Sequence, residues 1–272
     1  MSGPETRASA ARRLELVLRI LLPLIVLALV VLAWDQVVRI KQIPPYELPG
    51  PRLVLTTLWE DRELLLDSLL VTLTTTLEGF LLALAGGVAL AVLFNLSRLI
   101  EYSLYPYAVI LQVTPILAIA PLLLVYMEPP AAVLACAWIV AFFPVLANTT
   151  LGLASVDRNL VDLFRLYGAS RLQILIELKL PAAMPYMLGG VRIAGGLSLV
   201  GAVVAELAAG TAGAGSGLAY RIAESAYRLR IPRLFAALLL LSAAGVVIFF
   251  ALSLLSHLGL RRWHESAVEP ER

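Results

Sequence analysis

The chain has 272 residues, 60% of them hydrophobic and 15% charged, with a mean hydropathy of +0.90 and a net charge of +2. A soluble domain is about half apolar and a quarter charged, so lipid rather than water is the expected solvent. The small, scattered positive balance excludes a nucleic-acid partner, and the lone Cys136 excludes an intrachain disulfide and a thiol metal cluster.

A helix needs about 20 apolar residues to cross a hydrocarbon core about 30 Å thick, since each residue rises about 1.5 Å. Residues 1–15 form a polar tail carrying Arg7, Arg12 and Arg13, and Leu16 to Val37 is the first apolar run. No small-residue cleavage site follows it, so it is expected to stay as an uncleaved spanning helix. The connection 39–67 opens on Ile43-Pro44-Pro45 and Leu48-Pro49-Gly50-Pro51, where proline imposes turn or extended geometry, and continues into an amphipathic stretch from Leu53 to Leu66.

Leu69 to Phe94 is the second predicted span and Leu104 to Met127 the third. The third holds Gln112-Val113-Thr114-Pro115 and Ala120-Pro121, and its prolines predict a bent or broken helix. Ala131 to Leu153 is the fourth, Met184 to Ala208 the fifth and Leu234 to Leu258 the last, followed by a tail over 259–272. An even number of spans puts both termini on one side. The distribution of Lys and Arg over the connections assigns that side to the cytoplasm, although the basic segment Thr211 to Arg233 runs against it and is expected to cover the outer mouth of a path. Apolar runs leave no room for a separate soluble core, so 1–272 is read as a single transmembrane domain.

Ionisable and strongly polar groups inside spans are costly and serve as candidates for a translocation path. They are Glu78, Gln112, Asn148, Arg192 and Glu206, joined by Thr114 and Pro115 at the predicted break. Arg192 and Glu206 stand fourteen residues apart, about 21 Å along one helix, too far to pair with each other.

The connection 155–181 contains DRNLVDLFRLYGASRLQILIELKLP, a charged amphipathic segment that lipid cannot bury. Leu160, Leu163, Phe164 and Tyr167 recur at helical spacing, Asp157, Asp162 and Arg165 stay available to water or a protein groove, and Gly168 permits a tight turn before a second short helix, Leu172 to Leu178. The spacing Asp162-Leu163-Phe164, Gly168, then Leu178-Lys179-Leu180-Pro181 resembles the cytoplasmic coupling loop of binding-protein-dependent ABC importer permeases. That family's Glu-Ala-Ala opening is Asp-Leu-Phe here, and its Ile-x-Leu-Pro ending has Leu178 in place of Ile. LPGP at Leu48 to Pro51, TPILAIAPLL from Thr114 to Leu123, Val191-Arg192-Ile193-Ala194-Gly195, Ala205-Glu206 and Gly215-Ser216-Gly217-Leu218 are similar in order to the nitrate, sulfonate and taurine branch.

The resemblance implies an all-α membrane protein of about six spanning helices with the type I importer fold, in the bacterial cytoplasmic (inner) membrane, both termini cytoplasmic. It implies a separate ATP-hydrolysing subunit docking on Asp157, Asp162, Leu163, Phe164, Arg165, Tyr167, Gly168, Ala169, Ser170, Leu180 and Pro181. A periplasmic or lipid-anchored solute-binding protein and a second permease copy, as a homodimer, complete the assembly. The implied solute is a small anion such as a sulfonate, taurine or nitrate, with a pyrimidine or vitamin-like molecule as the alternative. No cofactor, metal or catalytic residue is expected, because the chain lacks a Walker-type glycine loop and His257 and His264 form no HExxH motif. A secondary transporter or an intramembrane enzyme is the rival reading of the bare apolar pattern.

Overall fold

The computed structural model describes residues 4–210 and 215–260; Arg261, Arg262, His264 and all but the first two residues of the tail 259–272 lie outside them, as does the start of the tail 1–15. Every regular element among the described residues is helical: α1 (Pro4–Ile40), α2 (Pro51–Glu60), α3 (Arg62–Leu96), α4 (Arg98–Val113), α5 (Ile116–Tyr126), α6 (Pro129–Ala154), α7 (Arg158–Leu166), α8 (Arg171–Ala209), α9 (Leu218–Tyr227) and α10 (Ile231–Leu260). Five of them are long and apolar enough to span a membrane, and α4 with α5 makes a sixth if that bent pair counts as one. The pair turns by 101° at Thr114-Pro115, so the third predicted span is a corner rather than a rod. Its cause is local: Pro115 has no N–H to donate, and Thr114 leaves helical geometry at φ −72, ψ 122.

The contacts divide the chain into two compact units, one reaching up to Arg62 and including Ser225–Ala236, the other Glu63–Glu224 with the chain from Ala237. In the first unit, α2 starts on Pro51 directly after the extended Gly50. Asp61, just past α2, holds Arg233 in a two-pronged ion pair at 2.6 and 2.8 Å, and Trp34 stacks on Phe235 with ring centroids 5.8 Å apart. The expected outer connection 39–67 is therefore mostly helical. Only 41–50 and Asp61 are without helix, and the amphipathic stretch expected from Leu53 to Leu66 becomes α2 and the first turns of α3.

In the second unit α3, α6 and α8 pack side by side through small residues. A Cβ added to Gly79 would lie 2.6 Å from the Ala137 methyl, and one on Gly201 would lie 2.6 Å from the Cys136 carbonyl oxygen. Lipid tails are as apolar as leucine, so helices in a bilayer gain from such close backbone approach rather than from leaving water. Around these contacts sits a core of Phe94, Leu146, Val145 and Leu153. The helix expected over Leu172 to Leu178 is the start of α8, which runs unbroken through a π-helical stretch, Ile174–Lys179, into the fifth span.

Replacing Gly201 by Val should force α6 and α8 apart. Overpacking of this kind costs about 1–3 kcal/mol, and the melting temperature of the detergent-purified protein should fall by several degrees. Gly245→Ala, where an added Cβ would meet Leu199 at an ordinary 3.5 Å, should leave it unchanged.

Candidate functional site

Two polar constructions occupy opposite ends of the second unit. The first is organised by Glu206, in the last turn of α8 and only 6% exposed. The Thr72 hydroxyl of α3 donates to its carboxylate, at 2.8 Å to Oε1 and 3.0 Å to Oε2. The backbone N–H of Ala219 donates to Oε2 at 3.0 Å, and the N–H of Leu218 donates to Thr72 Oγ1 at 2.8 Å. The start of α9 is thus fastened to α3 and α8: the carboxylate takes the Ala219 N–H and the Thr72 hydroxyl oxygen the Leu218 N–H, groups that a helix start leaves without partners. Gly217 has no room for a side chain, since an added Cβ would collide with that carboxylate. Beside the clasp lies a cavity of about 190 Å³ whose wall includes Val71, Thr75, Pro130, Val133, Glu206 and Tyr220.

The other candidates within spans are distributed differently. Asn148 is half-buried on α6 and donates to the Pro144 carbonyl at 2.8 Å, where it packs against Gly190. Gln112 and Pro115 are exposed at the α4–α5 corner, and Thr114 there donates its hydroxyl to the Ile110 carbonyl at 2.7 Å. Glu78 on α3 and Arg192 on α8 are exposed on helix surfaces. These groups do not converge on one cavity: among the seven, Glu206 alone lines the one described above.

The second construction is the connection around α7. Asp157 caps this helix by accepting the Asn159 N–H at 2.9 Å, and Asp162 pairs with Arg165 at 3.0 Å one turn on. Gly168 ends it at φ +79, a left-handed conformation in which the Ala169 N–H reaches the Phe164 carbonyl at 3.0 Å. Ser170 and Gln173 then form a reciprocal capping box that starts α8. So much capping on a nine-residue helix fixes its shape without burying it. No residue of α7 is buried; Leu163 is 45% exposed, and Leu166 and Tyr167 are each 85% exposed. Leu180 and Pro181 lie farther on, in the first α-helical turn of α8 after its π-helical stretch, so the expected connection 155–181 ends as free loop at Ser170. Lys179 donates to Asn95 Oδ1 at 3.1 Å, tying the foot of α8 to the end of α3.

The second construction is thus a short, capped, uncovered amphipathic helix at one end of the spanning helices of the second unit. The family model described as binding-protein-dependent transport system inner membrane component matches residues 83–263, which takes in α7 and its flanks. The chain belongs to that family.

Among the permease's relatives, a probable ABC transporter permease protein of Haemophilus influenzae is 33% identical over 241 residues, covering 88% of this chain and 97% of that one. The riboflavin transport system permease protein RibX of Chloroflexus aurantiacus is 32% identical over 89% of this chain and 90% of its own. The nitrate import permease protein NrtB of Leptolyngbya laminosa is 33% identical over half of each chain. A crystal structure of an amino acid ABC transporter with histidines superposes with a TM-score of 0.60 at 19% identity, over 76% of this chain and 97% of that one, and shares the fold. This permease is a multi-pass membrane protein and a transport component rather than an enzyme.

The partners of Glu206 are the residues that sequence reasoning missed. Thr72, Thr75 and Thr76 form a hydroxyl cluster in an apolar span, and that cluster was the available signal. Thr72→Val should remove a hydrogen bond to a buried carboxylate, worth about 1.5–3 kcal/mol, and lower the melting temperature in detergent. Thr72→Ser, which keeps the hydroxyl, should restore most of the loss.

Proposed function

We propose that this permease forms the solute path of an ATP-driven importer, with a separate ATP-hydrolysing subunit gripping α7 from the cytoplasm. The supporting observation is the uncovered apolar edge of α7, formed by Leu160, Leu163, Leu166 and Tyr167, on a helix whose caps hold it rigid. An exposed stripe of that kind suits a helix laid into a groove of a partner, with Asp162 and Arg165 at its polar margin. On this reading Asp157, Asp162, Leu163, Phe164, Arg165, Tyr167, Gly168, Ala169 and Ser170 form the docking surface, while Leu180 and Pro181 carry the movement into the fifth span. Both termini are then cytoplasmic.

Two copies of the chain enclose the path, and a periplasmic or lipid-anchored binding protein delivers solute to the opposite end, where α9 and the Glu206 clasp stand. The broken α4–α5 corner borders the path, with Gln112, Thr114 and Pro115 at the place where backbone groups are released from helical bonding. Selection of the solute resides in the binding protein: relatives named for riboflavin and for nitrate differ too much in size and charge to share one snug site. A small anion such as a sulfonate, taurine or nitrate and a vitamin-like heterocycle are both compatible with such a path.

The test is co-purification of the ATPase encoded beside this chain with wild-type protein and with Gly168→Ala. A left-handed backbone costs a residue with a Cβ about 1–2 kcal/mol, so retention of the ATPase should fall about 5- to 30-fold while the bundle still inserts and melts normally. Equal retention by both proteins, or none by wild type, would remove α7 as the docking element.

A further inference from the structure

Two charges inside spanning helices have no place in the constructions described above. Glu78 and Arg192 are both exposed, and neither has a hydrogen-bond or ion-pair partner among the described residues. Glu78 stands about 200° around α3 from Thr76, away from the face that packs on α6 and α8. It is sixteen residues from the first residue of α3 and eighteen from the last, and Arg192 is seventeen residues from the end of α8 at Ala209. Both therefore lie near the middle of their helices, within the apolar spans. A bare charge at that depth is costly and in membrane proteins is paired or faces a polar cavity.

Their depths nearly match. Ser198 Oγ on α8 donates to the Thr76 carbonyl on α3 at 2.8 Å, which fixes the register of these antiparallel helices. Toward the α7 end, Glu78 lies two residues beyond Thr76, about 3 Å, and Arg192 lies six residues beyond Ser198, about 9 Å, at 1.5 Å per residue. An arginine side chain bridges the difference of about 6 Å.

A second, independent feature marks the same face of α8. Of the glycine pairs on this helix, Gly190 and Gly195 are used inside the chain, against Asn148 and Leu252. Gly189 and Gly196 are not: a Cβ added to either meets nothing within 4 Å. They sit one turn to either side of Arg192 and leave a shallow trough that the chain's own packing does not require, of the kind that lets another helix approach closely.

We infer that Arg192 of one copy pairs with Glu78 of a second copy across the dimer interface, with α3 of that copy lying over the Gly189–Gly196 trough. Two-fold symmetry makes the pair occur twice. The opposite signs, the matched depth and the unoccupied trough are the complementarity that selects a second copy as occupant. The inference rests on the two-copy reading given under Proposed function.

The test uses whole protein in membranes, in a Cys136→Ala background, with two differently tagged copies expressed together. Glu78→Cys on one and Arg192→Cys on the other should give a strong intermolecular disulfide on mild oxidation, whereas Glu78→Cys with Phe250→Cys should give little. In the charge series, Glu78→Arg or Arg192→Glu alone should lower recovery of one tag by the other about tenfold, and the double exchange should bring it back to within about twofold of wild type. If wild-type tags recover each other but the disulfide stays at background and the double exchange rescues nothing, the pair is overturned while the homodimer stands. If wild-type tags do not recover each other, the homodimer reading and the pair fall together.

Discussion

Close approach of α3, α6 and α8 is the constraint on which everything else in the second unit depends. In water, burying leucine would hold such a bundle; in lipid that gain is absent, and the helices must touch along glycine and alanine to collect enough contact. Gly79 on α3 and Gly201 on α8 both meet the same turn of α6, around Cys136 and Ala137, so α6 is the spine against which the other two are set. With that spacing fixed, Thr72 comes within hydrogen-bond distance of Glu206 at one end and Asn95 within reach of Lys179 at the other.

These ends are joined by a single continuous helix. α8 begins at the capping box beside α7, passes through the π-helical stretch Ile174–Lys179, and finishes at the carboxylate that fastens α9. Displacement of α7 by a partner therefore has a stiff route to the far end, 39 residues long, with no loop to absorb it. π-helical segments widen the backbone locally and recur at functional positions, and here the segment sits where force would enter the span. On the proposed reading, such a route would couple two sites by making both depend on the setting of one rigid element.

The spans were legible because an apolar run of about 20 residues has few other uses. Helix ends were not: the amphipathic stretch Leu53 to Leu66 and the short helix Leu172 to Leu178 read as separate from the spans, yet Arg62 to Asp67 and Arg171 to Lys179 continue α3 and α8 beyond the apolar core. The prolines announced that Leu104 to Met127 would break, but a 101° corner depends on how α5 settles against α6 and α8, which no local pattern encodes. The α7 segment was readable from the helical spacing of its apolar residues and the turn at Gly168, since both act on near neighbours; its caps Asp157 and Ser170 emerged only with the structure. Glu206 was legible as a costly residue but not as a clasp, because its partners Thr72 and Ala219 come from elements 134 and 13 residues away. Likewise Gly189-Gly190 and Gly195-Gly196 looked equivalent in sequence, and only their direction around α8 separates the inward from the outward member of each pair.

The most direct test of the account is uptake by vesicles reconstituted with this permease, its neighbouring ATPase and the binding protein, with ATP enclosed. Hydrolysis of ATP should rise several-fold when solute-loaded binding protein is added outside, and solute should accumulate only when both ATP and ATPase are present. Accumulation by vesicles holding the permease alone, driven by an ion gradient and indifferent to ATP, would contradict the assignment of α7 as the point where an ATPase drives the bundle.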